Sequence, residues 1–186
     1  MARNEIATYA WPGFVRLGFG AVQRVGPEAR ARGGSRAFVV ADPGVVAAGL
    51  LEPVTDSLAA AGLEWVTDER VAPNPDIGTV DAVASACAES GADVVVGLGG
   101  GSALDTAKAI LQPIAGGGSA GDYLLVLRRD KRPTPTNLLP YIAAPTTAGT
   151  GSEVTPWAVL TDLGKRQKFS AGDVQTIPQV AVIDPD

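Results

Sequence analysis

Val94-Val95-Val96-Gly97-Leu98-Gly99-Gly100-Gly101-Ser102-Ala103-Leu104-Asp105-Thr106-Ala107-Lys108 reads as a strand, a tight turn and the start of a helix. β-Branched residues run into glycines, and helix formers follow Ser102. Glycines in such a turn remove the Cβ atoms that would keep a ligand off the backbone. The helix N-terminus that follows carries unpaired N–H groups and a partial positive charge, which suit a phosphate. A turn that only connects two elements can carry the same letters, so the rest of the chain has to separate the readings.

Upstream, residues 9–20 read as one or two short strands ending in a turn at Gly18 to Gly20, and residues 21–32 as a helix if its first turn begins near Pro27. Ala37 to Ala41 is a continuous apolar run, read as a buried strand that ends in an Asp42-Pro43-Gly44 turn. Leu51, Val54, Leu58 and Ala61 form one helical stripe with Gly62 as its stop, and Leu63 to Thr67 is a short strand. Pro73-Asn74-Pro75 makes a rigid loop before a helix over residues 78–90, whose Cys87 shares a face with Val80, Val83 and Ala84 and reads as core. The helix after the glycine turn is expected to stop at Gln112, before Pro113.

Strands alternating with helices predict an α/β fold, an open and mostly parallel sheet with helices on both faces. Ligands of such sheets bind outside the carboxyl ends of the strands. Asp42 and Gly99 to Ser102 both stand at such ends, so one sheet edge should hold both.

Downstream, Gly116 to Gly121 reads as a flexible glycine segment and Arg128 to Arg132 as a charged, solvated loop. Tyr141 to Ala144 resumes as a strand. The loop that follows, Pro145-Thr146-Thr147-Ala148-Gly149-Thr150-Gly151-Ser152-Glu153-Val154-Thr155, offers hydroxyls and accessible amides that could wrap a phosphate or ribose. Residues 158–160 and 167–169 flank Asp162-Leu163-Gly164 as a hairpin, and Val180 to Ile183 is a last strand. Residues 1–186 read as a single domain.

Composition narrows the function classes. Hydrophobic residues make up 46% and charged residues 19% of the 186, an ordinary globular balance. A net charge of −5 argues against nucleic-acid binding. No apolar run reaches the length of a membrane span, and no signal peptide is visible, so the expectation is a cytoplasmic protein. One cysteine forms no intrachain disulfide. Zero histidines rule out a Ser-His-Asp or Cys-His centre and disfavour zinc or iron on this chain's own side chains.

Taken together, Gly99-Gly100-Gly101-Ser102 with Asp105 and Lys108, Pro73-Asn74-Pro75, the 145–155 loop and Ile177-Pro178-Gln179-Val180-Ala181-Val182-Ile183-Asp184-Pro185 resemble the iron-containing (group III) alcohol dehydrogenase family. The resemblance covers essentially the whole chain but only the first half of the family's pattern. It implies a Rossmann-like NAD(H)-binding domain. In the family, an all-helical domain follows and holds a divalent metal, iron or zinc, on one Asp with typically three His. None of those ligands is present here, and Asp184 and Asp186 are no substitutes.

The resemblance also implies residue roles. Asp42 would bind the adenosine ribose hydroxyls, and its carboxylate would repel a 2′-phosphate, favouring NAD(H) over NADP(H). Gly99, Gly100, Gly101 and Ser102 would cradle the pyrophosphate. Asp105 would compensate the helix dipole and face the nicotinamide side. Thr146, Thr147 and Thr155 would hold the path from adenine to nicotinamide, and Asn74 and Lys168 would contact the cofactor. In the ordinary Rossmann fingerprint the glycine turn precedes the acid; here the acid comes first, by about 57 residues, as in this family.

The implied function is hydride transfer between NAD(H) and a small alcohol or aldehyde, with the chain alone inactive. A stand-alone nucleotide-binding or interaction module, working with a helical partner, is the alternative. Glycerol dehydrogenase and polyol-phosphate dehydrogenase relatives fit the threonine loop less well. An uncovered apolar face is expected, hence a homo-oligomer or association with a helical domain. Trp157 reads as core in preference to a substrate contact.

Overall fold

The computed structural model describes residues 12–127, Asp130 and residues 132–186. The alternating apolar runs of the sequence fold as parallel strands: β1 (Phe14–Leu17), β2 (Arg36–Ala41), β3 (Glu64–Asp68), β4 (Val94–Gly99), β5 (Tyr141–Pro145) and β8 (Val180–Ile183). They form one sheet in the order β1-β8-β5-β4-β2-β3, with every pair parallel. The two remaining strands, β6 (Trp157–Asp162) and β7 (Gln167–Gly172), make a separate antiparallel hairpin.

Alternate residues of the central strands build two cores, because side chains along a strand point to opposite faces. Phe38, Val40, Val95 and Ala143 face α4 (Ile77–Ser90), α5 (Gly101–Ala109), α6 (Leu111–Gly116) and the hairpin residues Ala158 and Leu160. Val39, Val96, Leu98 and Val182 face α1 (Val25–Ala31) and α3 (Leu51–Ala60), through Val25, Val54 and Leu58. β4 is buried along its whole length, as a central strand covered on both faces must be. This is a Rossmann-like open sheet with helices on both faces and an added hairpin.

Helix ends follow local chemistry. Asp76 caps α4 by accepting the Thr79 amide, and Gly91 ends it in the left-handed conformation. Gly62, with φ of 72°, follows the end of α3 in the same way.

Some local expectations fail. Asp42-Pro43-Gly44 is not a free turn: it starts a short helix, α2 (Pro43–Ala47), with Asp42 as N-cap and Pro43 in the first turn. Pro113 does not end the helix that follows the glycine turn. α5 ends at Ala109, and Pro113 sits in the first turn of α6, where its missing N–H costs no bond. Residues 21–32 divide into a 3-10 turn (Ala21–Arg24) and α1. The glycine segment after Ile114 is pinned: Asp122 and Ser119 form a reciprocal cap, and Asp81 accepts the Ala120 amide at 2.7 Å. Residues 9–11 of the first expected strand region, and Arg128, Arg129 and Lys131 of the charged run, lie outside the described residues. No helix among the described residues is long and apolar enough to cross a membrane.

Candidate functional site

β2 and β4 lie side by side, but the chain leaves them in opposite directions, from β2 outward to β3 and from β4 to β5. The segments that leave their paired carboxyl ends therefore diverge, which opens a crevice at the topological switch point. Asp42 stands at the end of β2, Gly99 to Ser102 at the end of β4, and Thr146 and Thr147 follow β5. Asp42, Gly100, Gly101, Ser102, Thr146 and Thr147 line one cleft of about 580 Å³ at this edge. A second, mostly apolar cavity of about 730 Å³ adjoins it, sharing Leu50, Thr146 and Thr147.

The two sides of the crevice nearly touch. Asp42 Oδ1 accepts the Val45 amide at 3.0 Å, which orients the carboxylate. Its Oδ2 lies 2.9 Å from where a Cβ on Gly99 would sit, and Gly99 has φ of +141°. Only glycine meets both conditions without strain. The Thr146 amide donates to the Gly99 carbonyl at 2.9 Å, tying the threonine loop to the turn. α5 then begins with no side-chain cap at Gly100, and uncapped amides at a helix start suit an anionic group.

Asn74 and Lys168 join this edge from outside. The Asn74 amide donates to Ser102 Oγ at 3.3 Å, and Lys168 Nζ donates to Asn74 Oδ1 at 2.6 Å. Asn74 takes φ of +58°, which an Asn tolerates better than most residues. Thr161 bonds both sides of the same loop, its amide to the Pro75 carbonyl and its hydroxyl to the Asn74 carbonyl. The hairpin is thereby stitched to the 73–75 loop.

Asp105 and Thr155 stand apart from that cleft. Asp105 points from the second turn of α5 toward the hairpin, where Oδ1 accepts Ser152 Oγ at 2.6 Å and Oδ2 accepts the Val159 amide at 3.0 Å. Thr155 follows the 3-10 turn Ser152–Val154 and leads into β6.

Sequence reasoning gave Lys108 no role beyond its place in the family motif, and Ser152 none beyond the shared hydroxyls of its loop. Lys108 is fully buried, and its ammonium donates to the Ser152 carbonyl (2.8 Å), Ser152 Oγ (3.0 Å) and the Trp157 carbonyl (2.7 Å). Burial pushes its pKa down to about 8, against the opposing pull of Asp105 and Glu153. The available signal was one cation set between Ala107 and the apolar Ala109-Ile110-Leu111. Trp157, read as core, is 46% exposed, because it takes an outward position on β6 while Ala158 and Leu160 point inward.

Among the described residues no group of three or more His, Cys, Asp or Glu side chains is placed to hold a metal ion. The donor set here fits a dinucleotide and not a divalent metal centre.

The model of the family "iron-containing alcohol dehydrogenase" matches residues 12–185. Choline dehydrogenase of Bacillus subtilis (strain 168) is 39% identical over 183 residues, 98% of this chain and 45% of that protein. Lactaldehyde reductase of Escherichia coli (strain K12) is 42% identical over 91% of this chain and 44% of its own length. An archaeal halo-thermophilic alcohol dehydrogenase from a Red Sea brine pool superposes with a TM-score of 0.92 at 33% identity, over 99% of this chain and 47% of that one. Sulfoacetaldehyde reductase from Bifidobacterium kashiwanohense, solved in complex with NAD+, superposes at 0.86 with 34% identity, over 98% and 47%. The chain thus spans about half the length of the curated relatives it matches. In sequence and in the parallel sheet that builds the crevice, this chain belongs to the iron-containing alcohol dehydrogenase family.

Proposed function

We propose that residues 1–186 form a dinucleotide-binding α/β domain and serve as the NAD(H)-binding part of a metal-dependent alcohol dehydrogenase or aldehyde reductase. The substrate class is a small alcohol or aldehyde. The observation that carries this reading is Asp42 facing Gly99 across the switch-point crevice, with uncapped helix amides one step beyond. The carboxylate suits ribose hydroxyls and disfavours a 2′-phosphate, while the amides of α5 suit a pyrophosphate. Thr146, Thr147 and Ser102 line the cleft. When bound, the nicotinamide supplies the hydride acceptor or donor. The chain's own residues bind and orient it.

The metal of the family falls to residues outside these 186, and the cleft is completed by a helical domain or by a second copy of the chain. The protein works in the cytoplasm. The isolated chain is therefore expected to bind nucleotide without turning over alcohol; chelator-resistant turnover would contradict this.

Calorimetric titration with NAD and NADP tests the cofactor assignment, using the native chain beside Asp42→Asn. Asparagine keeps the helix cap and removes the charge. NAD should bind the native chain more tightly than NADP, and the variant should narrow or reverse that preference. Equal preference in both proteins would sink the role given to Asp42.

A further inference from the structure

We propose that Lys108 is the positioning residue that holds the 146–155 loop and the hairpin against the glycine turn, and thereby sets nucleotide affinity. The affinity clause rests on the cofactor reading above; the bracing clause stands on geometry alone. The loop has two anchors toward α5. One is the Thr146 amide on the Gly99 carbonyl, and the other is Ser152, held by Lys108 and Asp105. Residues 146–150 between them are exposed. With the Ser152 anchor released, this exposed span keeps its tie at the turn and loses the one at its far end.

An ammonium has three N–H donors, and all three of Lys108's meet acceptors more than forty residues away in sequence. Two acceptors belong to Ser152 and one to Trp157, at the entry to β6. Asp105, one turn earlier, accepts from Ser152 Oγ and the Val159 amide, so the pair clamps loop and hairpin together. An apolar chain of similar length would fill the space without the desolvation cost of a buried charge. Lys108 sits two turns along the rigid helix that starts at the glycine turn, so the clamp sets the spacing between the loop and the first helical amides.

The test compares the 186-residue chain with Lys108→Met, Ser152→Ala and, as a control, Leu58→Ala. Leu58 is fully buried on the opposite face of the sheet, so its truncation lowers global stability without touching the clamp. Hydrogen exchange of the hydrogen-bonded Thr146, Ser152 and Val154 amides of the loop is followed without nucleotide, and NAD affinity by calorimetry. Both clamp variants should speed exchange in the loop and weaken NAD binding, Lys108→Met by about tenfold or more. Leu58→Ala should leave loop exchange under native conditions and NAD affinity near their native values. If Lys108→Met does not fold, Ser152→Ala decides. Native-like exchange and affinity in the clamp variants, or the same loss in Leu58→Ala, would overturn the proposal. Failure of the native chain to bind NAD overturns the cofactor reading; loop exchange then decides the bracing role by itself, faster exchange supporting it and unchanged exchange ending it.

Discussion

The Lys168 ammonium donates to the Asn74 side-chain oxygen at 2.6 Å, across 94 residues of sequence, and the Asn74 amide in turn donates to Ser102 Oγ. A cation on the hairpin is thus held two hydrogen bonds from the glycine turn. Both side chains are exposed, so the bond itself should add less than about 1 kcal/mol to stability. Lys168→Met is expected to leave the unfolding midpoint nearly unchanged while weakening NAD binding several-fold. The salt dependence of binding should flatten, since one cation near the phosphates is gone. Titrations at two ionic strengths check this; an unaltered salt slope would place the lysine away from the phosphates.

Gly99 is the tightest point of the crevice. An alanine there would have to adopt φ near +141° and put its methyl 2.9 Å from both Asp42 Oδ2 and the Ala103 methyl. Gly99→Ala should cost about 1–3 kcal/mol in stability. It should also abolish measurable NAD binding, because relief of the clash moves either Asp42 or the turn. Denaturant titration and calorimetry measure the two effects, and native affinity in a folded variant would refute the second.

Glu28 is nearly buried at the base of α1, between Arg16 at 2.6 Å and Arg32 at 2.7 Å. Burial alone would raise its pKa, but hydrogen bonds from Arg16 and Arg32 outweigh it and hold the carboxyl below the usual glutamate range. A depressed folded pKa means stability that is present above the unfolded value and lost as pH falls through the folded one. Glu28→Gln should therefore be less stable than the native chain at pH 7, with the gap closing in acid. A gap constant from pH 7 to pH 3 would show that the charge does not matter.

Cys87 packs in the core beneath α4, and burial, with Asp68 nearby, pushes its thiol up to about 12. A raised folded pKa gives stability that is present below the unfolded value near 9 and lost as pH rises toward 12. Cys87→Ala should show a shallower loss of stability above pH 9 than the native chain. In the native state the thiol should react with alkylating reagents no faster than the chain opens. Rapid labelling of folded protein would contradict its burial.

The elements easiest to read were those whose signals agree at every level. α4 has Asp76 before it, an apolar stripe through it and Gly91 after it, and the structure matches those limits to within a residue. β4 is an unbroken apolar run, and it lies at the sheet centre. Misreadings came where one residue type serves two purposes. Proline stops a helix but also opens one, so Pro43 and Pro113 were legible only once the neighbouring helices were placed. Trp157 failed for a different reason: a strand residue's burial depends on which face of the hairpin meets α5.

Part of the crevice lining could be anticipated because the signals that place it are local. Strand ends, glycines and caps act within a few residues, so Asp42 and Gly99 to Ser102 could be placed at one sheet edge from periodicity and turn chemistry, whereas Thr146 entered through the family resemblance. The bracing could not. The bonds of Lys108 to Ser152 and Trp157, of Asp105 to Ser152 and Val159, and of Lys168 to Asn74 join segments 44 to 94 residues apart. Periodicity carries no information about such pairings, since they follow from how the hairpin docks on α5. What the sequence by itself determined is the parallel α/β sheet, the strand-end edge shared by Asp42 and the glycine turn, and the family. Only the tertiary structure decided which polar side chains line the cleft and which are consumed in holding its walls, because a buried charge finds its partners only when distant segments pack around it.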